Sequence, residues 1–249
     1  MSKIKPFLLL QLRPEKETSD NEREAFLRFS GLAPEELVSA RIEQTGLPKV
    51  DLNDYSGVLI GGGPSNVSDN AAKKPDSQKK FEAQLRELLT QITEQDFPFL
   101  GACYGISILA DFLGAEVAKG KYAEEVNSIS LSLTDEGKKD KLTKGIISPF
   151  KAFTGHKESC QELPKGTTLL VTGEACPIQM IRFATNVYAT QFHSELDSKG
   201  LEVRILAYRH LGYFPPEDAE KLIEMAKHET ITEPEKILKN FVRLYSKPV

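Results

Sequence analysis

The sequence contains no tryptophan and only three cysteines, and it has no long hydrophobic segment. The cysteines, Cys103, Cys160 and Cys176, form no CxxC pair and no set large enough for a structural zinc site. An odd and sparse set of thiols is typical of a reducing compartment. The sequence therefore predicts a cytoplasmic protein that holds no metal.

The best candidate for a targeting or membrane segment is the apolar stretch at residues 6–12. It is much shorter than the roughly 20 apolar residues that a membrane helix needs. No small-residue cleavage site follows it, and the polar string RPEKETSD comes next. We therefore expect a buried strand at this position, with neither a signal peptide nor a membrane span.

Charge of neither sign is in large excess, because 32 lysines and arginines stand against 36 aspartates and glutamates. Interspersed charges of this kind give no reason to expect nucleic acid or an anionic membrane as a partner. Hydrophobic residues make up 40% of the 249 residues, which is enough for a sizeable core. The composition predicts an ordinary globular protein.

Strand-like and helix-like segments alternate over the first half of the chain. Strands are predicted at FLLLQLR, LVSARIE and GVLIGGG, and FPFLGACYG is predicted to be a short strand that runs into a turn. Helices are predicted at residues 20–30, 76–93 and 104–114. Gly31 is expected to end the first helix. This rhythm predicts an α/β fold with a mainly parallel sheet that is flanked by helices.

The pattern changes after about residue 116. Shorter strand-like pieces, NSISLSL, TTLLVTG, IQMIRF and NVYATQF, predict antiparallel strands, either added to the main sheet or forming a layer beside it. From about residue 196 the segments are helical in character. We find no repeat, low-complexity tract or linker, so we expect one domain over residues 1–249. Its C-terminal helical extension either packs on the main sheet, which we favour, or presents an interface.

Cys103 lies in the segment FLGACYGIS, between an apolar strand and a helix, with Gly101 and Gly105 two residues away on either side. This context has the form of a nucleophile elbow. Small neighbours leave room for a sharp turn, and the N-terminal amides of the following helix favour a thiolate over a thiol. On its own the string is a weak signal, since a cysteine after a strand is also a common small core residue.

His193 and Glu195 lie two residues apart in YATQFHSEL, at the end of an apolar strand-like segment. Residues i and i+2 of a strand face the same side, so the two side chains can converge on one site. A general base and the carboxylate that orients it are what a cysteine nucleophile needs. A lone histidine here would more often be a surface residue, but together with Cys103 the pattern indicates a Cys-His-Glu triad.

The segments VLIGGGPSNVSD, GACYG and QFHSE, in this order, resemble the class I glutamine amidotransferase family, whose motifs read G-x-C-x-G-x-Q and Q-F-H-P-E. The similarity spans about residues 7–195 and is closest to the amidotransferase domain of GMP synthase. The resemblance implies a flavodoxin-like fold and hydrolysis of a γ-glutamyl amide. Cys103 would form a γ-glutamyl thioester, His193 would activate the thiol and protonate the departing ammonia, and Glu195 would hold the imidazole.

The resemblance also implies groups around the triad. The backbone amide of Tyr104 and one from Gly62 or Gly63 would form the oxyanion hole, and Gly61 would contact the substrate. The segment FTGHKES corresponds to a histidine-containing loop over the glutamine site of the family. His156 is therefore either a substrate contact or a surface residue of that loop.

Two positions depart from the family pattern. Ser107 stands where the family has a glutamine that helps hold the amino-acid end of the substrate, and Ser194 replaces the proline between His193 and Glu195. The shorter side chain of Ser107 favours a γ-glutamyl peptide or conjugate somewhat over free glutamine.

Three functions stay open. The chain is an amidotransferase that passes ammonia to a partner synthase, a stand-alone hydrolase of γ-glutamyl peptides or conjugates, or a catalytically inert binding or regulatory protein with the same fold. The two enzyme functions share a γ-glutamyl small molecule as substrate. They imply no metal and no organic cofactor, because thiol chemistry with a histidine base needs neither.

Overall fold

Strands of both orientations form one mixed sheet in the computed structural model, which describes residues 4–249. The strands are β1 (Phe7–Gln11), β2 (Leu37–Arg41), β3 (Gly57–Ile60), β4 (Phe99–Ala102), β5 (Val117–Leu133), β6 (Phe150–Cys160), β7 (Thr167–Gly173), β8 (Met180–Phe183) and β9 (Val187–Thr190). Their order across the sheet is β2-β1-β3-β4-β9-β8-β7-β5-β6.

The parallel half of the sheet comprises β2, β1, β3, β4 and β9, and each of these strands runs parallel to its neighbour. Strands buried on both faces have continuous apolar sequences, as in the FLLL of β1, where all four side chains are at most 1% exposed. The predicted α/β fold with a mainly parallel core is confirmed. This half brings the carboxyl ends of β1, β3, β4 and β9 to one edge of the sheet.

The antiparallel half comprises β8, β7, β5 and β6, and it extends the main sheet beyond β9. Two of the four predicted strand-like pieces, NSISLSL and TTLLVTG, lie wholly in strands, and the other two lie partly in β8 and β9. Strand β5 begins at Val117, well before NSISLSL. Its first part, VAKGKYAEE, is rich in charge, and its register against β6 shifts on both sides of Glu124. Charged residues on a partly exposed, irregular strand hide the alternation that identifies a strand.

The prediction of a loop at FTGHKES is wrong. These residues form the centre of β6, where Thr154 pairs with Asn127 and His156 pairs with Glu124 of β5. The segment is polar, yet Thr154 and His156 are only 2% and 4% exposed. The loop prediction failed because this strand buries polar residues, so its sequence is as polar as that of a loop.

Helices cover both faces of the sheet. They are α1 (Lys16–Ser30), α2 (Ile42–Thr45), α3 (Asp76–Glu94), α4 (Tyr104–Phe112), α5 (Asp135–Lys139), α6 (Ser198–Tyr208), α7 (Ala219–His228) and α8 (Glu235–Tyr245). As predicted, α1 ends at Gly31, which adopts φ 79° and donates its N–H to the carbonyl of Leu27 over 3.0 Å. The start of α1 is at Lys16, earlier than the predicted residue 20.

The C-terminal helices pack on the rest of the molecule. The ring of Phe241 in α8 lies 5.9 Å from that of Phe7 in β1, and both side chains are fully buried. Helices α6 and α7 share an apolar cluster with Val126 of β5 and Phe153 of β6. Within residues 4–249, no helix combines the length and the apolar character needed to cross a bilayer.

Candidate active site

Cys103 occupies a sharp turn between β4 and α4, with φ 52° and ψ −92°. A positive φ is uncommon for any residue other than glycine and marks a strained turn. A Cβ atom on Gly101 would lie 2.8 Å from the Cα atom of Gly105, so the turn requires glycine at this position. The N–H of Cys103 donates to the carbonyl of Thr190 over 2.8 Å, which ties the elbow to the end of β9.

His193 and Glu195 follow β9 and are joined by a hydrogen bond of 2.7 Å between Nδ1 and Oε1. They lie in a turn after the strand, held by a hydrogen bond from the N–H of His193 to the carbonyl of Phe153. A Cβ atom on Gly62 would lie 2.7 Å from Cε1 of His193 and 3.5 Å from Cβ of Cys103, so the histidine and the cysteine meet at this glycine. Because Nδ1 is engaged, Nε2 is the atom that can take a proton.

The protonation states of Cys103, His193 and Glu195 follow from burial and from neighbouring charges. Burial raises the pKa of Cys103 to about 12, with Arg13 opposing the shift. Burial lowers the pKa of His193, although Glu195 acts in the other direction. Burial alone would raise the pKa of Glu195, but His193 and Arg204 hold it well below its usual range. At neutral pH the resting site thus holds a thiol, a neutral imidazole and a carboxylate, against the expectation of a thiolate.

Of the four glycine and tyrosine positions predicted around the triad, Gly62, Gly63 and Tyr104 lie beside Cys103, and Gly61 makes other contacts. Tyr104 is the first residue of α4, where the N–H has no partner inside the helix, and Gly63 lines the space around Cys103. Gly61 donates its N–H to the carbonyl of Leu10 over 3.1 Å. A Cβ atom on Gly61 would lie 2.5 Å from Oε1 of Glu22. The predicted substrate contact of Gly61 is thus replaced by contacts inside the protein.

Two cavities meet at Cys103, Gly63 and Tyr213. The larger cavity is otherwise lined by Arg13, Val126, Thr154, Gly155, His193, Leu196, Leu201, Arg204, Ile205, Tyr208 and Phe214. The smaller cavity is otherwise lined by Ser65, Asn66, Tyr104, Ser107, His156, Lys157, Glu158 and Gln191. Cys103 therefore lies at the junction of a mainly apolar cavity and a polar one.

Ser107 and His156 both line the smaller cavity. Ser107 is 1% exposed and lies in the second turn of α4. His156 donates from Nδ1 to the carbonyl of Glu158 over 2.9 Å, and its Nε2 lies 2.9 Å from Oε2 of Glu124. Because both ring nitrogens of His156 are occupied, the imidazole acts as part of the cavity wall.

In the part of the chain that the structure describes, potential metal-ligand atoms come together at Glu124, His156 and Cys176, within 4.8 Å of one another. The same oxygen of Glu124 also accepts a hydrogen bond of 2.8 Å from Nε2 of Gln179. The thiol of Cys176 faces the carbonyl of Ile178 at 3.7 Å. Each of the three side chains thus has a hydrogen-bond partner within the protein.

Arg13 and Arg204 are site residues that the sequence did not reveal. Arg13 lies just beyond the carboxyl end of β1, the edge at which open α/β sheets place their ligand-binding residues, and this position was the available signal. Its Nε donates to Glu22 over 2.7 Å and its Nη1 to the hydroxyl of Tyr208 over 3.0 Å. Arg204 lies in α6 and donates from Nη2 to Oε1 of Glu195 over 3.1 Å. No motif marks it.

Comparison with known proteins gives one sequence family. The sequence model of the glutamine amidotransferase class-I family matches residues 35–210. A glutamine-hydrolyzing GMP synthase subunit from Pyrococcus abyssi is 27% identical over 153 residues, which cover 61% of this chain and 72% of that protein. The subunit of the same name from Methanothermobacter thermautotrophicus is 28% identical over 165 residues, with coverages of 66% and 76%.

Solved structures show the same fold. A glutamine amidotransferase from Thermotoga maritima superimposes with a TM-score of 0.73 and 23% identity, covering 96% of this chain and 95% of that one. A glutamine amido transferase from Methylobacillus flagellatus gives a TM-score of 0.73 and 16% identity, with coverages of 99% and 98%. The predicted flavodoxin-like architecture with added antiparallel strands is confirmed.

Proposed function

The chain belongs to the glutamine amidotransferase class-I family, and we propose that it hydrolyses a γ-glutamyl amide through a Cys-His-Glu triad. The observation that carries this proposal is the buried hydrogen bond of 2.7 Å between His193 and Glu195, beside a cysteine at positive φ at the junction of two cavities. A base that is oriented by a carboxylate and placed beside an accessible thiol is what nucleophilic acyl transfer requires.

The reaction proceeds through a covalent intermediate. Sγ of Cys103 attacks the γ-carbonyl carbon while the thiol proton passes to Nε2 of His193. The imidazolium gives this proton to the leaving nitrogen, the C–N bond breaks, and ammonia or an amine departs from a γ-glutamyl thioester. A water molecule then loses a proton to His193 and attacks the thioester, the C–S bond breaks, and glutamate leaves as the proton returns to the thiolate. Because the resting thiol and imidazole are both neutral, proton transfer accompanies the attack.

Backbone amides stabilise the negative charge that develops on the γ-carbonyl oxygen. The N–H of Tyr104 at the start of α4 supplies one donor, and Gly62 or Gly63 supplies the other. A donor of this kind is typically worth about 10²–10³ in rate. The close approach of His193 to Gly62 supports this assignment, because any side chain at this glycine would collide with the imidazole.

The smaller cavity takes the amino-acid end of the γ-glutamyl group. Ser107 and Gln191 line it, and both amide atoms of Gln191 are buried with no hydrogen-bond partner among the described residues. Buried polar groups normally have partners, so a free amide in a cavity supports a role in ligand binding. Ser107 stands where the family has a glutamine. Gln191 lines the same cavity and would supply an amide group there.

The fate of the leaving nitrogen separates two functions. The named relatives are synthase subunits, and by analogy this chain would deliver ammonia to a partner synthase. Residues 209–215 favour the second function, stand-alone hydrolysis of γ-glutamyl peptides or conjugates. Tyr213 from this segment lines both cavities, and its hydroxyl donates to the carbonyl of Pro64 over 3.4 Å. Nζ of Lys157 lies 4.4 Å from the Tyr213 ring centroid. The chain thus covers its own triad.

The state of the thiols bears on where the protein works. Cys103, Cys160 and Cys176 are all free. Free thiols, one of them proposed as a nucleophile, suit a reducing compartment. We therefore place the protein in the cytoplasm.

The proposal is tested by incubating the purified protein with glutamine and with γ-glutamyl peptides while glutamate release is measured. Cys103→Ser is expected to lower kcat/KM by roughly 10⁴-fold or more, because members of a triad act as a unit. The matched control is Cys160→Ser, at a fully buried thiol in β6, and we expect its rate to stay within a few-fold of wild type. Added hydroxylamine should divert the thioester to a γ-glutamyl hydroxamate. Release of no glutamate from any substrate would instead identify an inert binding protein.

A further inference from the structure

Two buried arginines line the larger cavity beside Cys103, and neither has a part in the proton transfers of hydrolysis. The side chains of Arg13 and Arg204 are 3% and 7% exposed. Each forms one ion pair, Arg13 with Glu22 at 2.7 Å and Arg204 with Glu195 at 3.1 Å. A guanidinium group has five N–H donors, so each pair leaves donors unused.

The unused donors of Arg204 point to a missing anion. Its Nε and Nη1 are buried and have no hydrogen-bond partner within the described residues. Leaving donors of a buried cation unsatisfied is costly, and such groups are rare in native proteins. Burial lowers the pKa of Arg204, and the neighbouring charge of Arg13 lowers it further. A carboxylate bound in this cavity would provide partners and oppose both shifts.

The position of Arg13 places such a carboxylate close to the leaving nitrogen. Arg13 and His193 both approach Gly62. A Cβ atom on Gly62 would lie 3.0 Å from Nη2 of Arg13 and 2.7 Å from Cε1 of His193. His193 is the group that protonates the leaving nitrogen. In an amino acid the carboxylate is two bonds from its nitrogen, so a leaving amino acid presents its carboxylate within reach of this end of the cavity.

The rest of the larger cavity is apolar. Its wall includes Val126, Leu196, Leu201, Ile205, Tyr208 and Phe214. Ammonia gains nothing from an apolar wall, whereas the side chain of a hydrophobic amino acid packs on one.

Resting on the proposed function, we infer that the larger cavity binds the amine portion of the substrate and that this amine is an amino acid with an apolar side chain. Its carboxylate binds Arg204 and Arg13, and its side chain packs on the apolar wall. The γ-glutamyl end occupies the smaller cavity, and the scissile amide lies at Cys103, where the two cavities meet. The substrate class is therefore the γ-glutamyl dipeptides, for example γ-glutamylphenylalanine.

The test compares three substrates on the purified protein by glutamate release: γ-glutamylphenylalanine, γ-glutamyl phenethylamide and glutamine. The first two differ only in the carboxylate. Hydrogen bonds to charged groups predict that kcat/KM is about 10- to 100-fold higher with the carboxylate present. In Arg204→Gln this ratio is expected to fall toward one. The control is Arg243→Gln, which removes an exposed arginine of α8 that donates from Nη2 to Asn240 and should keep the wild-type ratio.

The outcomes separate this inference from the proposed function. Equal kcat/KM values for the two amides in the wild-type protein, or a preference for glutamine over both, would overturn the inference and leave Cys103-dependent hydrolysis standing. Hydrolysis of none of the three would overturn the proposed function, and the inference with it. If Arg204→Gln fails to fold, the comparison of the two amides in the wild-type protein still tests the inference. Calorimetric titration of Cys103→Ala with the same two amides must show the same preference in binding.

Discussion

Cysteine, histidine and glutamate come together at two places within residues 4–249. The elbow cluster consists of Cys103, His193 and Glu195, and the strand cluster consists of Glu124, His156 and Cys176. In both clusters a ring nitrogen lies close to a carboxylate oxygen, at 2.7 Å in the elbow cluster and 2.9 Å in the strand cluster. Burial raises the pKa of both thiols to about 12. Neither residue types nor thiol acidity separates the two clusters.

The two clusters differ in whether the second ring nitrogen of the histidine is free and in whether the thiol is accessible. His156 gives its second nitrogen to the carbonyl of Glu158, and Cys176 is completely buried. His193 keeps Nε2 for proton transfer, and Cys103 is partly exposed at the junction of two cavities. A histidine with one free nitrogen beside an accessible thiol can act as a base, whereas one with both nitrogens occupied stabilises the fold.

Matched alanine variants of the two histidines test this difference and should give the largest effect. His193→Ala removes the base and is expected to lower kcat/KM by about 10²–10⁴. His156→Ala should lower kcat/KM by much less, while the lost buried hydrogen bonds lower the free energy of unfolding by roughly 1–3 kcal/mol. Glutamate release and urea denaturation measure the two quantities. A larger rate loss for His156→Ala than for His193→Ala would reverse the assignment of the clusters.

The Glu195 variants should give an intermediate effect. Glu195→Gln keeps the shape of the side chain but removes the negative charge that favours an imidazolium. Since Arg204 donates to the same oxygen, it helps to keep a carbonyl oxygen facing His193. The rate loss should therefore be smaller than that of His193→Ala. Because the residues act as a unit, the double variant should be little slower than His193→Ala alone.

Two observations control the Glu195 experiment. Circular dichroism must show that each variant is folded, since Arg204 loses its ionic partner. If the double variant shows the product of the two single losses in kcat/KM, then His193 and Glu195 act independently and the triad assignment fails.

The pH profile should show the smallest effect. Hydrolysis needs neutral His193, and burial lowers its pKa below the ordinary 6.5. The acid limb of kcat/KM is therefore expected to have its midpoint below pH 6.5, with activity present above it. Glu195 raises the pKa of His193, so Glu195→Gln should move this midpoint to lower pH. Because the pKa of Cys103 lies at about 12, activity should not rise through the ordinary thiol value of 9.0. A rise there would indicate that a thiolate is the attacking form.

The elbow cluster could be predicted because each of its parts is local in the sequence. Gly101, Cys103 and Gly105 fix the turn by short-range contacts, and His193 and Glu195 are neighbours after one strand. The parallel half of the sheet could be predicted for a similar reason, since strands buried on both faces are continuously apolar.

The rest of the site depends on contacts between residues far apart in the chain. Glu158 is buried in β6 because it accepts hydrogen bonds of 2.9 and 2.8 Å from the N–H groups of Val67 and Ser68, about ninety residues away. Such partners make a polar strand possible where the sequence alone indicates a loop. Arg204 reaches the triad only because α6 folds back over β6.

The central claim is that Cys103 is the nucleophile, and limited labelling tests it most directly. A chloroketone analogue of glutamine, added below one equivalent to the folded protein, should modify Cys103 before Cys160 and Cys176, as shown by peptide mass mapping. In His193→Ala the labelling rate should fall, because the base that activates the thiol is absent. Labelling in denaturant, where all three thiols should react, is the control. Modification of Cys160 or Cys176 ahead of Cys103 in the folded protein would contradict the account.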